Sequence, residues 1–186
     1  VSSDGFGRAD VRVGAAYEAE RGESRSRLAA ASAARRVELG EGLVLVLETR
    51  ESVRAALEET LRSQRVADPE EVDAEMAVFA ALLPGDDELV ATLYLDVADP
   101  AALADRLGEL AGIAAALSME LGQARVTARL SAADAEGGAA RVVFPLGAAG
   151  AAHLLSGAPV VLALDHPQVR ARVTLDEDQL RALASR

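Results

Sequence analysis

The sequence predicts an α+β fold in which N-terminal helices pack on a largely antiparallel sheet and a short helix closes the C-terminal end. Three observations carry this prediction. Helical spacing of apolar residues dominates as far as Leu83, and strand-like runs dominate from Leu89 onward. Gly122-Gln123 and Asp165-His166-Pro167-Gln168 then join strand runs directly, with the residue chemistry of tight turns. Residues 15–186 read as one domain, and residues 1–14, with Gly and Ser and little pattern, as a loose leader.

Tyr17 to Arg36 is rich in Ala, Glu and Arg and reads as a helix on propensity, weakened by Gly22 and a thin apolar stripe. Within Val37–Thr49, the continuous run Leu43-Val44-Leu45-Val46-Leu47, opened by Gly40 and Gly42, predicts a strand buried on both faces. A helix over Ser52–Val66 follows from Val53, Ala56, Leu57, Thr60 and Leu61 at helical spacing, with Arg54, Glu58 and Arg62 as an i,i+4 ladder on another face. Asp68–Leu83 is a second helix. Asp68 suits the N-cap, Pro69 the first turn and Glu71 the capping-box position, and Pro84-Gly85 ends it.

Strands then follow at Leu89–Val97, Leu117–Leu121, Ala124–Leu130, Arg141–Leu146, Val160–Leu164 and Val169–Leu175. Short helices interrupt them, one from Asp99-Pro100 to about Leu110 and one over Ala148–Leu155. Val126, Ala128 and Leu130 alternate with Thr127 and Arg129, the pattern of a sheet with one wet face. The last helix opens at Thr174 or Asp176, because Thr174…Glu177 and Asp176…Gln179 both have capping spacing. Val46, Leu57, Met76, Phe79, Leu93 and Phe144 are the expected core residues.

Composition excludes several chemistries. The 186 residues contain no Cys, so disulfides, thiolate chemistry, cysteine-ligated iron–sulfur clusters and Cys-type zinc sites are ruled out. All 19 basic residues are Arg, and the aromatic share of 3% leaves few platforms on which bases or sugars stack. The net charge of −11 is uneven: as far as Ala67, 11 Arg balance 11 acids, whereas from Asp68 onward 8 Arg face 19 acids. A polyphosphate is repelled by such a surface, so no nucleic-acid partner is expected. With neither a signal-peptide pattern nor a run of about 18 apolar residues, a soluble, cytoplasmic protein without a membrane partner is expected, and the use of Arg for Lys with abundant Ala reads as the mark of a GC-rich bacterial genome.

Motifs for catalysis are missing in the same way. His153 and His166 are the two histidines, with no His-Glu-x-x-His spacing, and neither a metal nor another cofactor is expected. His166 precedes Pro167 and reads as a turn residue. There is no Gly-x-Ser-x-Gly elbow and no Gly-rich phosphate loop, and Gly137-Gly138 and Gly147 only precede element starts. No catalytic residue is assigned. The candidate binding residues are charged: Arg35, Arg36, Glu48, Glu59, Arg62 and Arg65. They are read either as structural Arg–carboxylate pairs pinning helices to the sheet, or as an anion or partner site built from Arg forks. Asp86-Asp87-Glu88 reads as a solvated acidic turn within the acidic stretch Asp68–Glu120, the surface on which a protein partner is expected to dock.

The order of these features resembles a bacterial domain-of-unknown-function family, number 3501. The resemblance rests on Tyr17-Glu18, Arg21, Arg25, Arg35-Arg36-Val37, the strand ending near Glu48, and Glu59-Thr60-Leu61-Arg62-Ser63-Gln64-Arg65-Val66. It continues through Glu75, Phe79–Pro84, Glu88–Leu93, Arg141-Val142-Val143-Phe144 and Asp165-His166-Pro167. The sequence diverges from the family's pattern before Glu59, at Phe79-Ala80 and near Val169. The resemblance implies a non-catalytic accessory or interaction protein of a redox or oxidative-stress system. Its implied partners are rubrerythrin-like proteins or iron–sulfur oxidoreductases, which carry the metals and clusters. A small enzyme or ligand-binding domain acting on an anionic metabolite through the Arg/Glu cluster is the alternative, and a structural homo-oligomer is a third.

Overall fold

The Leu43–Leu47 run forms a strand whose alternation sets the layers of the molecule. The computed structural model describes residues 5–40, 42–96, 101, 103–131 and 139–184. In chain order its helices are α1 (Ala15–Ala33), α2 (Arg50–Ser63), α3 (Pro69–Ala80), α4 (Leu103–Glu109), α5 (Ile113–Ala116), α6 (Gly147–Leu155) and α7 (Glu177–Ala184). Its strands are β1 (Arg36–Gly40), β2 (Leu43–Leu47), β3 (Glu88–Leu95), β4 (Leu117–Leu121), β5 (Ala124–Thr127), β6 (Arg129–Leu130), β7 (Ala139–Pro145), β8 (Val160–Asp165) and β9 (Arg170–Thr174). The fold is α+β and every strand pair is antiparallel.

The single expected sheet is two sheets, ordered β1-β2-β3-β7-β6 and β5-β4-β8-β9. In the first, Leu43, Leu45 and Leu47 pair with Leu95, Leu93 and Ala91, so one face of β2 and β3 is continuously apolar. That face meets Leu117, Met119 and Leu121 of β4 and Val160, Leu162 and Leu164 of β8 in one core around the fully buried Phe144. The sheets join through a shared strand. Ala128 donates its N–H to Leu117 O at 2.8 Å in one sheet, and the next residue, Arg129, pairs with Val143 in the other. At the opposite edge, β1 and β9 lie side by side.

The run Leu43–Leu47 is a strand as expected, and the residues before it, Arg36–Gly40, form a second one, so that the two make the hairpin β1–β2. Gly40 and Gly42 have φ of 80° and 75°, the left-handed region that favours glycine. A Cβ on Gly42 would lie 2.4 Å from the carbonyl oxygen of Asp96, so this turn is closed to any larger residue. α1 stops at Ala33, earlier than the expected Arg36, and frees Arg36 and Val37 for the hairpin. The helix start expected at Asp99-Pro100 lies outside the described residues, as do Gly137-Gly138.

α1, α2 and α3 lie on the other face of the first sheet, whose outward residues include Val46, Thr92 and Tyr94. Arg141 on that face donates to Leu82 O just beyond α3 at 2.7 Å. A second apolar cluster holds the layer together: Val53, Leu57 and Leu61 of α2 with Val72 and Met76 of α3. Phe6 and Val11 are buried in the same cluster, so the segment read as a leader packs on the helices from residue 6 onward. Leu57, Met76, Leu93 and Phe144 are buried as expected, whereas Val46 and Phe79 are half-buried. Val46 faces a cavity, and Phe79 sits at the rim of the helical cluster. The remaining helices are interleaved with the later strands, and α7 opens at the Asp176…Gln179 box, with both reciprocal bonds formed at 2.8 and 2.9 Å.

Candidate functional site

The helical layer does not close completely on the sheet. A cavity of ≈ 340 Å³ remains between α1, α2 and the outward face of β2 and β3. Its floor includes Val46, Glu48 and Tyr94, and its helical walls present Arg25 and Arg27 from α1 and Glu51, Ser52 and Arg54 from α2. This volume lies at the small end of the range for small-molecule sites.

Most charges around it are already committed. Glu58 is buried (1% exposed) and takes a bidentate fork from Arg12, with Nε at 3.1 Å on Oε1 and Nη2 at 3.0 Å on Oε2. Glu59 accepts from Arg21 Nη2 at 2.9 Å, from the Tyr17 hydroxyl at 2.7 Å and from Arg62 Nε at 3.0 Å. Hydrogen bonds from Arg21, then Tyr17 and Arg62, hold the Glu59 carboxyl far below the usual carboxylate range. Burial, and then its bond to Glu59, pushes the Tyr17 phenol up. Arg35 is 2% exposed and donates to Ala31 O at 3.0 Å, Leu47 O at 3.0 Å and Thr49 Oγ1 at 3.1 Å. It braces the end of α1 against the end of β2 and the cap of α2; burial pulls its pKa down.

Two groups stand apart. Glu48 accepts from the hydroxyls of Ser52 at 2.5 Å and Thr92 at 2.6 Å, and it makes no ion pair among the described residues. Among the described residues, the buried Nε of Arg54 has no hydrogen-bond acceptor, and the nearest carboxylate to its guanidinium is Glu51 at 3.9 Å. Arg54, Arg35 and Glu51 also line a second cavity of ≈ 380 Å³, so they form the partition between the two.

Of the sequence candidates, the structure brings Arg35, Glu48 and Glu59 to the cavity wall, with Arg62 behind Glu59. The others are elsewhere. Arg36 faces Glu38 at 3.6 Å and its carbonyl accepts from Gln179 of α7. Arg65 sits in the left-handed region (φ 57°) just past α2. Asp86 and Asp87 are exposed on the turn before β3, and Glu88 pairs with Arg129 at 2.6 Å. The Arg54–Glu58–Arg62 ladder does not form, because Glu58 turns inward to Arg12 and Arg62 turns to Glu59.

Sequence reasoning missed Arg12, Arg54, Ser52 and Thr92 as parts of one site. The one available signal was Ser52, at the spacing from Thr49 that completes a cap: Ser52 N donates to Thr49 Oγ1 at 3.2 Å and Thr49 N to Ser52 Oγ at 2.9 Å. His166 is a turn residue, its Nδ1 accepting from Gln168 N at 3.3 Å, which leaves the proton on Nε2 for Ala111 O at 3.2 Å. No group of three potential metal ligands occurs among the described residues, nor is any helix long and apolar enough to cross a membrane.

The family described as protein of unknown function (DUF3501) matches residues 7–186. The chain belongs to this family. The match includes Arg12, Glu58 and the whole cavity wall, so the site lies inside the family's domain. A solved relative is similar throughout: the crystal structure of a novel protein of unknown function from Burkholderia pseudomallei. The two share 25% identity and a TM-score of 0.89, over 98% of each chain. No curated protein matches.

Proposed function

We propose that the chain is a non-catalytic binding domain that takes a small anionic metabolite in the cavity between α1, α2 and the first sheet. The observation that carries this reading is Arg54. Its guanidinium lines the cavity with its nearest carboxylate, that of Glu51, 3.9 Å away, and its Nε has no acceptor among the described residues, so an anion in the cavity meets a charge that no close ion pair neutralises. Arg25, on the facing wall, makes no ion pair among the described residues. Guanidinium groups stay charged at all working pH values, so they hold an anion without exchanging protons with it. The test is calorimetric titration with phosphate, sulfate and small mono- and dicarboxylates. At least one should bind, and Arg54→Ala should weaken it about tenfold with the melting temperature retained. Heats of dilution alone for every anion would overturn the reading.

An accessory role beside a redox partner is compatible with such a domain. It draws on the family resemblance and on Asp86 and Asp87, which are exposed and make no ion pair among the described residues. Under this proposal, Asp86→Arg with Asp87→Arg lowers capture of an iron–sulfur or rubrerythrin-like partner and slows association most at low salt. Unchanged association rates across salt would remove it.

A further inference from the structure

Glu48 gives the site a second polarity. Among the described residues it is the cavity carboxylate that meets hydroxyls rather than a guanidinium: Glu51, Glu58 and Glu59 each face an Arg within 4 Å. Ser52 and Thr92 take one acceptor position on each Glu48 oxygen, and an ionised carboxylate has about four. The neighbouring cations do not fill the remainder. Arg35 directs Nε and Nη1 to Ala31, Leu47 and Thr49 and Nη2 to Ser32 Oγ, and Arg141 reaches Leu82 O. Both sense the charge on Glu48, yet neither bonds to it.

One cavity of ≈ 340 Å³ therefore presents an open carboxylate on the sheet side and, on the helix side, the guanidinium of Arg54, whose nearest carboxylate is Glu51 at 3.9 Å, with Arg25, which makes no ion pair among the described residues. A ligand of one sign satisfies half of this arrangement and leaves the other half bare. We infer that the ligand is a zwitterion of α-amino-acid type, its carboxylate on Arg54 and Arg25 and its ammonium on Glu48. Ammonium has three donors and a full charge, the complement of a carboxylate whose hydroxyl partners leave acceptor positions open. Val46, Leu28 and the ring of Tyr94 supply apolar wall for the remainder of such a molecule.

This inference rests on the anion-site reading, and one titration separates the two. The probes are the common α-amino acids, the α-keto acids that match them without the amino group, and the corresponding simple amines, each titrated into the purified protein. At least one amino acid should bind roughly tenfold or more tightly than its keto acid, and the amines should not bind. Glu48→Gln should abolish the preference while leaving the keto acid's affinity unchanged, and Arg54→Ala should weaken both. Keto acids binding as tightly as amino acids would overturn the zwitterion and leave the anion site standing. If no probe binds, both fail. The comparison within the wild-type chain decides the matter even if Glu48→Gln does not fold.

Discussion

Arg12 grips Glu58 at three points: its main-chain N–H reaches Oε1 at 2.9 Å, Nε reaches Oε1 at 3.1 Å, and Nη2 reaches Oε2 at 3.0 Å. The two residues are 46 apart in sequence, and Glu58 is 1% exposed. The grip carries the segment from Phe6 to Val13 onto α2, and so determines how the helical layer begins.

Removing the arginine strands a buried carboxylate. Arg12→Ala should cost about 3 kcal/mol in urea unfolding. Adding Glu58→Met to Arg12→Ala should return part of that loss, since the uncompensated charge is then gone. A cost for Arg12→Ala within about 0.5 kcal/mol would mean that Glu58 is solvated or otherwise paired.

Glu59 supplies a pH signature. Its folded carboxyl titrates below its unfolded value of about 4.3, so the stability it contributes is complete above that value. That contribution is lost as pH falls toward the folded value. Glu59 is 37% exposed, so solvent screening limits the effect to about 1 kcal/mol. Glu59→Gln should therefore lower stability by about that amount at pH 7, and the gap to wild type should narrow below about pH 4. A gap that stays constant from pH 7 to pH 2.5 would remove the ionic account.

Arg65 ends α2 in a Schellman arrangement: Val66 N donates to Leu61 O at 2.8 Å and Arg65 N to Arg62 O at 3.1 Å. A residue with a Cβ is strained at φ 57°. Arg65→Gly should stabilise the fold by about 1 kcal/mol, seen as a higher melting temperature. A lower one would show that the side chain has a stabilising contact.

Phe144 and Phe79 distinguish the two cores. Phe144 is fully buried between the sheets, and Phe144→Ala should cost about 3–5 kcal/mol. Phe79 is half-buried at the helical rim, and its truncation should cost clearly less. Equal losses in parallel denaturant titrations would contradict this placement.

Local signals were legible and long-range ones were not. Asp68 accepts from Glu70 N and Glu71 N as its capping position implied, and the Gly122-Gln123 turn joins β4 to β5. Thr174 loses to Asp176 as the start of α7 because it still belongs to β9, a fact of pairing rather than of spacing. The β1–β2 hairpin was hidden because Val37 and Leu39 alone make a weak alternation. At the site, Arg35, Glu48 and Glu59 were found as charges near strand and helix ends. Arg12 and Arg54 were not: one lay in a segment without pattern, and the other fitted an exposed ladder whose middle residue in fact points inward. Which acid an arginine meets is decided by how helices stack, and helical periodicity reports only which face is apolar.

Residues 124–130 belong to both sheets, passing from β4 to β7 at Ala128. Neither sheet is thus a foldon in its own right: detaching this strand strips the edge of β7 as well as that of β4. The amides of Met119 and Val143, on opposite sides of the seam, are then released in a single subglobal opening, and hydrogen exchange reports one free energy for both.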